Sequence, residues 1–117
     1  MLNIPKMIFL LIILFLSTVY FNLSLADETI VFLRHGEKPE KGLGQLSCQG
    51  LNRALAIPDV LLDKFGTPGA IFAPNPSFRK SDHGIDYDYI RPLATIEPTA
   101  IRVGLPVNVQ FSFNDIQ

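Results

Sequence analysis

Residues 29–39 read TIVFLRHGEKP, in which an apolar run leads directly into charged residues, and this pattern indicates the fold class. Its first part, residues 29–33, is apolar and β-branched without polar alternation, which is typical of a strand buried on both faces of a parallel sheet. Arg34, His35 and Gly36 follow at once. Ligands of open α/β sheets bind just beyond the carboxyl ends of the strands, so these three residues mark the predicted site.

Two further apolar runs follow along the chain, AIFA at 70–73 and PVNVQF at 106–111. Residues 51–65 carry apolar side chains at near-helical spacing up to Gly66, which predicts a helix with a kink or restart at Pro58. A second helix is predicted over 92–103. Connections of this length between strands indicate an α/β fold, with a mostly parallel sheet of about three strands flanked by helices.

Residues 75–89 are rich in Pro, Ser, Asp and Gly, which predicts a long exposed loop. Four side chains within it could in principle ligate a cation: Asp82, His83, Asp86 and Asp88. Their spacing matches neither an EF-hand nor a zinc site. We therefore expect a solvated acidic loop and no metal.

The amino terminus has the layout of a secretory signal peptide. Residues 7–21 carry no charge and follow Lys6, while Ser24 and Ala26 place small residues before a cleavage point. A retained membrane anchor is the alternative, but the apolar run of about 15 residues is shorter than the roughly 20 that span a bilayer. We expect residues 1–26 to be a signal helix that is removed, an exported protein in the periplasm or outside the cell, and membrane contact only through an uncleaved signal.

The remaining 91 residues carry nine Lys or Arg against eleven Asp or Glu, a net charge of −2. This slightly negative charge does not indicate a nucleic-acid-binding protein, which would carry an excess of basic residues. The single Cys48 has no partner for an intramolecular disulfide. A chain of this length supports one domain with a thin core.

Arg34, His35 and Gly36 combine residue types that suit phosphate chemistry. An Arg fork matches phosphate oxygens, and a neutral imidazole nitrogen can attack phosphorus. Gly36 lets the backbone come close to a bound anion. On these residues alone, a surface pair of Arg34 and His35 remains the alternative.

The segment VFLRHGEKP resembles the signature of the histidine phosphatase superfamily, the phosphoglycerate-mutase-like proteins, in which a strand leads directly into Arg-His-Gly. Further segments resemble the family in the same order and extend the resemblance over roughly residues 28–111. These are Leu46, Ser47 and Gly50 before a helix, IFAPNPS at 71–77, and RPLAT at 91–95.

The resemblance implies that His35 attacks a phosphomonoester and forms a phosphohistidine that water hydrolyses. Arg34 and Arg91 hold the oxygens of the transferring group. No metal or cofactor is implied, and the partner is a phosphorylated small molecule or a phosphoprotein. Arg79 is the rival to Arg91, which is favoured because Thr95 stands four residues further on, as in the family.

The sequence also departs from the family pattern, which includes a second catalytic histidine on a later strand. The only histidines are His35 and His83, and His83 precedes the Arg91 helix. We therefore expect residues 27–117 to be the amino-terminal part of a histidine phosphatase domain, with little or no phosphatase activity by itself. The alternative is a non-catalytic phosphate- or anion-binding remnant of that fold. A mutase is disfavoured because export separates the protein from cytoplasmic sugar phosphates.

Overall fold

The computed structural model describes residues 3–20 and 27–115. It is a mixed α/β structure with three helices and two small sheets of two strands each. The chain divides into two units, Met1–Phe32 and Leu33–Gln117. The signal cleavage point predicted after Ala26 lies outside the described residues.

The first unit contains α1, Ile4–Tyr20. The large apolar side chains described between Ile4 and Leu14 are exposed, among them Phe9 at 65% and Leu14 at 65%. None of the helices in the described ranges is both long and apolar enough to cross a membrane.

The strand predicted at residues 29–33 is wrong. These residues pair with no described strand, and Ile30, Val31 and Phe32 are exposed, Phe32 at 84%. Apolar β-branched composition favours an extended chain, but a strand forms only where a neighbour supplies hydrogen bonds.

The second unit is built on two packed helices, α2, Cys48–Phe65, and α3, Arg91–Val103. Ser47 caps α2 by accepting the N–H of Gly50 at 3.1 Å. Small residues four positions apart, Gly50, Ala54 and Pro58, form the buried face of α2. A kink or a restart was predicted at Pro58; the helix continues through this residue, so there is no restart.

The predicted second helix is confirmed as α3, with Pro92 in its first turn and Gly104 at its end in the left-handed conformation. Arg91, Thr95 and Thr99 are buried and lie four residues apart. They therefore share one face, which is polar although it is buried.

Strand β1, Ile71–Phe72, pairs in parallel with β4, Val107–Asn108. This confirms a parallel pair within the second and third apolar runs, although each strand is shorter than predicted. The connection between the two strands runs through a hairpin and α3.

The exposed loop predicted at 75–89 contains this hairpin. Strand β2, Lys80–Asp82, pairs antiparallel with β3, Ile85–Tyr87. The two turn residues, His83 and Gly84, have φ of 53° and 83°, as a two-residue hairpin with two positive φ angles requires. β2 and β3 were not predicted from the sequence because most of their side chains are exposed and the segment around them is polar.

Candidate functional site

The backbone of Gly36 is fixed from two sides. Its N–H donates to Thr95 Oγ1 at 2.9 Å, and that hydroxyl donates to the carbonyl of Arg91 at 2.8 Å. On the other side Gly36 lies against α2, where an added Cβ would come within 2.8 Å of the Gly50 carbonyl oxygen. Residues 34–37, here called the site segment, are therefore held between α2 and α3.

Gly50 is required by the same close approach. A Cβ there would collide with the carbonyl oxygen of Glu37. That oxygen accepts the N–H of Ser47 at 2.8 Å, which ties the site segment to the amino terminus of α2. The spacing of Ser47 and Gly50 singled out in the sequence thus serves helix capping and close packing together.

The ring of His35 has a defined tautomer. Its Nδ1 lies 2.7 Å from the carbonyl oxygen of Gly36. A carbonyl only accepts hydrogen bonds, so Nδ1 carries the proton and the neutral ring keeps its lone pair on Nε2. Tyr89, which is buried, packs edge-on against this ring at 6.1 Å between centroids. These contacts orient a half-buried imidazole, and its Nε2 lone pair is the atom able to act as a nucleophile or base.

His35 lines a cleft of about 470 Å³ that is rich in cations. The basic side chains along it are Arg34, Lys38, Arg53, Lys80 and Arg91. The acidic ones are Glu37 and Asp82. Five cations against two carboxylates leave a balance of +3, which favours a bound anion.

The structure brings the three sequence-predicted site residues, Arg34, His35 and Arg91, to this one cleft. Arg34 is exposed at its edge. The rival Arg79 does not line the cleft. Its side chain instead donates a hydrogen bond to the Asp86 carbonyl and forms an ion pair with the Asp88 carboxylate. The geometry therefore favours Arg91 over Arg79 as the second cation of the site.

Arg91 is not a free cation, however. It is 3% exposed and pairs with Asp82, itself 6% exposed, through Nη1 and Oδ2 at 2.6 Å. The solvated acidic loop predicted around Asp82 is thus wrong for this residue, because the hairpin turns its carboxylate inward to a buried guanidinium. The Arg91 guanidinium and the Gly44 N–H outweigh burial and hold the pKa of Asp82 far below its usual range.

The second carboxylate of the cleft, Glu37, is also paired. Arg53 Nη1 donates to its Oε1 at 2.9 Å. Its own backbone N–H and the Arg53 guanidinium lower the pKa of the Glu37 carboxyl. Both cleft carboxylates are therefore ionised at neutral pH.

Arg53, Lys80 and Asp82 line the cleft but were not predicted as site residues, and neither was the neighbouring Tyr89. Lys80 stacks on the Tyr89 ring at 4.8 Å and on Phe113 at 5.1 Å. Helical spacing offered a signal for Arg53, because it lies three residues after Gly50 on the turn that faces the site. Nothing local to the sequence indicates the hairpin residues, which arrive through tertiary folding.

No group of His, Cys, Asp and Glu within the described ranges is arranged to hold a metal ion. Cys48 is exposed and unpaired with another cysteine. The cleft presents arginines and lysines around an oriented imidazole.

Comparison with known proteins found no matching family model, no matching curated protein and no matching solved structure.

Proposed function

We propose that the cleft binds the phosphoryl group of a phosphomonoester and that His35 attacks its phosphorus, as in the histidine phosphatases that residues 31–39 resemble. The observation that carries this proposal is the hydrogen bond from His35 Nδ1 to the Gly36 carbonyl. It leaves the Nε2 lone pair available in a cleft with a positive balance of charge.

In the proposed reaction, the Nε2 lone pair forms the P–N bond as the bond from phosphorus to the leaving oxygen breaks. The proton on Nδ1 stays in place, and the Gly36 carbonyl stabilises the positive charge that the ring acquires. Arg34 and Arg91 bind the non-bridging oxygens. Water then attacks phosphorus, the P–N bond breaks, and inorganic phosphate leaves.

Among the described residues, the site has no clear acid to protonate the leaving oxygen. Glu37 and Asp82 are the carboxyl groups along the cleft, and both are ion-paired with lowered pKa values. Within the described residues, the cleft therefore has no carboxylic acid that is protonated at neutral pH. This favours leaving groups that need no proton, such as nitrophenolate. It also supports a second candidate, a phosphate-binding protein that turns over slowly or not at all.

The fold proposed with this function is the phosphoglycerate-mutase-like α/β fold. The parallel pairing of β1 with β4, and the position of the site segment against α2 and α3, support it. Export is part of the same proposal, since α1 is a helix of exposed apolar side chains at the amino terminus. Mass measurement of the protein recovered from the periplasm or medium tests export, and a start at Asp27 is expected.

Hydrolysis of 4-nitrophenyl phosphate by the full chain tests the reaction. We expect a burst of about one nitrophenolate per chain, followed by slow release of phosphate. His35→Asn removes the burst. His83→Asn is the matched control, because His83 is exposed in the hairpin turn and Asn tolerates its positive φ. A burst that survives His35→Asn contradicts the nucleophile, and phosphate binding without a burst favours the second candidate.

A further inference from the structure

The buried pair of Arg91 and Asp82 joins the hairpin to the start of α3. Arg91 Nη1 donates to Asp82 Oδ2 at 2.6 Å, and Nη2 donates to Oδ1 at 3.4 Å. The carbonyl of Gly42 accepts a further hydrogen bond from Nη1 at 3.3 Å. The Arg91 guanidinium is therefore bound through its two terminal nitrogens, Nη1 and Nη2.

These hydrogen bonds leave the N–H donors along one edge of the guanidinium without an acceptor among the described residues. Of its five N–H donors, Asp82 and Gly42 take both on Nη1 and one on Nη2. The remaining two, on Nε and Nη2, lie on the same edge of the planar group. In the described part of the chain, Nε has no hydrogen-bond partner. Two adjacent donors in one plane match two oxygens of a phosphate group.

Asp82 is itself held in place. Its Oδ2 accepts the N–H of Gly44 at 3.0 Å, and Lys38 Nζ lies 3.6 Å from Oδ1. Gly42, with φ of 75°, packs against the carboxylate so closely that a Cβ has no room. A carboxylate with partners on both oxygens and backbone packed against it belongs to the framework of the site, and does not compete with a ligand.

We infer that Asp82 is a positioning residue: it fixes Arg91 through the terminal nitrogens so that the Nε and Nη2 edge binds an oxyanion. This inference rests on the proposed function. It assigns a role to the hairpin of β2 and β3, which carries Asp82 to Arg91 across the cleft.

Titration with inorganic phosphate tests the inference, with the full chain in mild detergent and the arginine Nε–H signals followed by NMR. In the wild-type chain, the Arg91 Nε–H signal shifts as phosphate saturates the cleft. In Asp82→Asn the shift is lost and phosphate affinity falls by at least about tenfold, because a displaced guanidinium no longer meets the oxygens. Asp86→Asn is the matched control on the exposed side of the same hairpin and leaves both readouts unchanged.

Three results would overturn the inference, and they separate it from the proposed function. Phosphate that shifts Arg34 but not Arg91 removes the role of Asp82 and leaves a phosphate cleft. Equal or tighter phosphate binding by Asp82→Asn identifies Asp82 as a competitor of the ligand. A wild-type chain in which phosphate shifts neither arginine contradicts both proposals. If Asp82→Asn does not fold, an Arg91 signal that phosphate leaves unshifted in the wild-type chain still overturns the inference.

Discussion

Gly36 and Thr95 are joined by a buried hydrogen bond across 59 positions of sequence, from the Gly36 N–H to Thr95 Oγ1 at 2.9 Å. The residue beside the proposed nucleophile is thereby held to α3. Because the same hydroxyl donates to the Arg91 carbonyl, one side chain links the segment of His35 to the residue that carries the second cation.

Replacing Thr95 by Val is expected to destabilise the protein by about 1–3 kcal/mol, since the Gly36 N–H is left buried without its partner. Thr95→Ser keeps the hydroxyl and is the control, with a smaller loss from the missing methyl group. Urea unfolding followed by circular dichroism measures both. Equal stability of the Val variant and the wild type would contradict the link between Gly36 and α3.

Gly50→Ala is expected to destabilise the protein although alanine is the better helix former by about 1 kcal/mol. The added Cβ collides with the carbonyl of Glu37, a backbone atom that the capped helix holds in place. We expect a net loss of about 1–3 kcal/mol. Gly69→Ala is the control, because a Cβ there meets nothing, and its stability stays within about 0.5 kcal/mol of wild type. Stabilisation by Gly50→Ala would contradict the close approach.

Both helices of the second unit could be predicted from the sequence, for reasons visible in single residues. The apolar spacing of residues 51–65 up to Gly66 is a local signal, and it predicts α2. The strand at 29–33 could not be judged in this way, because a strand depends on a partner elsewhere in the chain. Asp82 was predicted to be solvated because its neighbours are polar, and only the hairpin register reveals that it turns inward.

Acid is expected to weaken the fold through Asp82. Its pKa is lowered in the folded protein by Arg91, so its stabilising contribution is complete above the ordinary pKa of 3.8 and declines as the pH falls below that value. Unfolding free energies between pH 6 and pH 2 should therefore drop more steeply for the wild type than for Asp82→Asn, whose side chain does not titrate. Parallel acid profiles for the two proteins would contradict the buried ion pair.

Arg34→Ala is expected to weaken binding of inorganic phosphate by about tenfold or more while changing stability by less than about 0.5 kcal/mol, because the side chain is exposed at the cleft. Arg79→Ala removes another exposed cation, one that does not line the cleft, and phosphate affinity is retained. Calorimetric titration compares the two variants. Equal losses of affinity would show that phosphate responds only to the overall charge.

Isolation of the phosphorylated protein shows whether His35 is the nucleophile. The full chain is mixed with 4-nitrophenyl phosphate, quenched in alkali, digested and examined for phosphohistidine, with the ring position assigned by NMR. An acid-labile phosphoryl group is expected on Nε2 of His35, because Nδ1 donates its proton to the Gly36 carbonyl. A phosphoryl group on Nδ1, on His83, or on neither histidine would contradict the role of His35 Nε2 as the nucleophile.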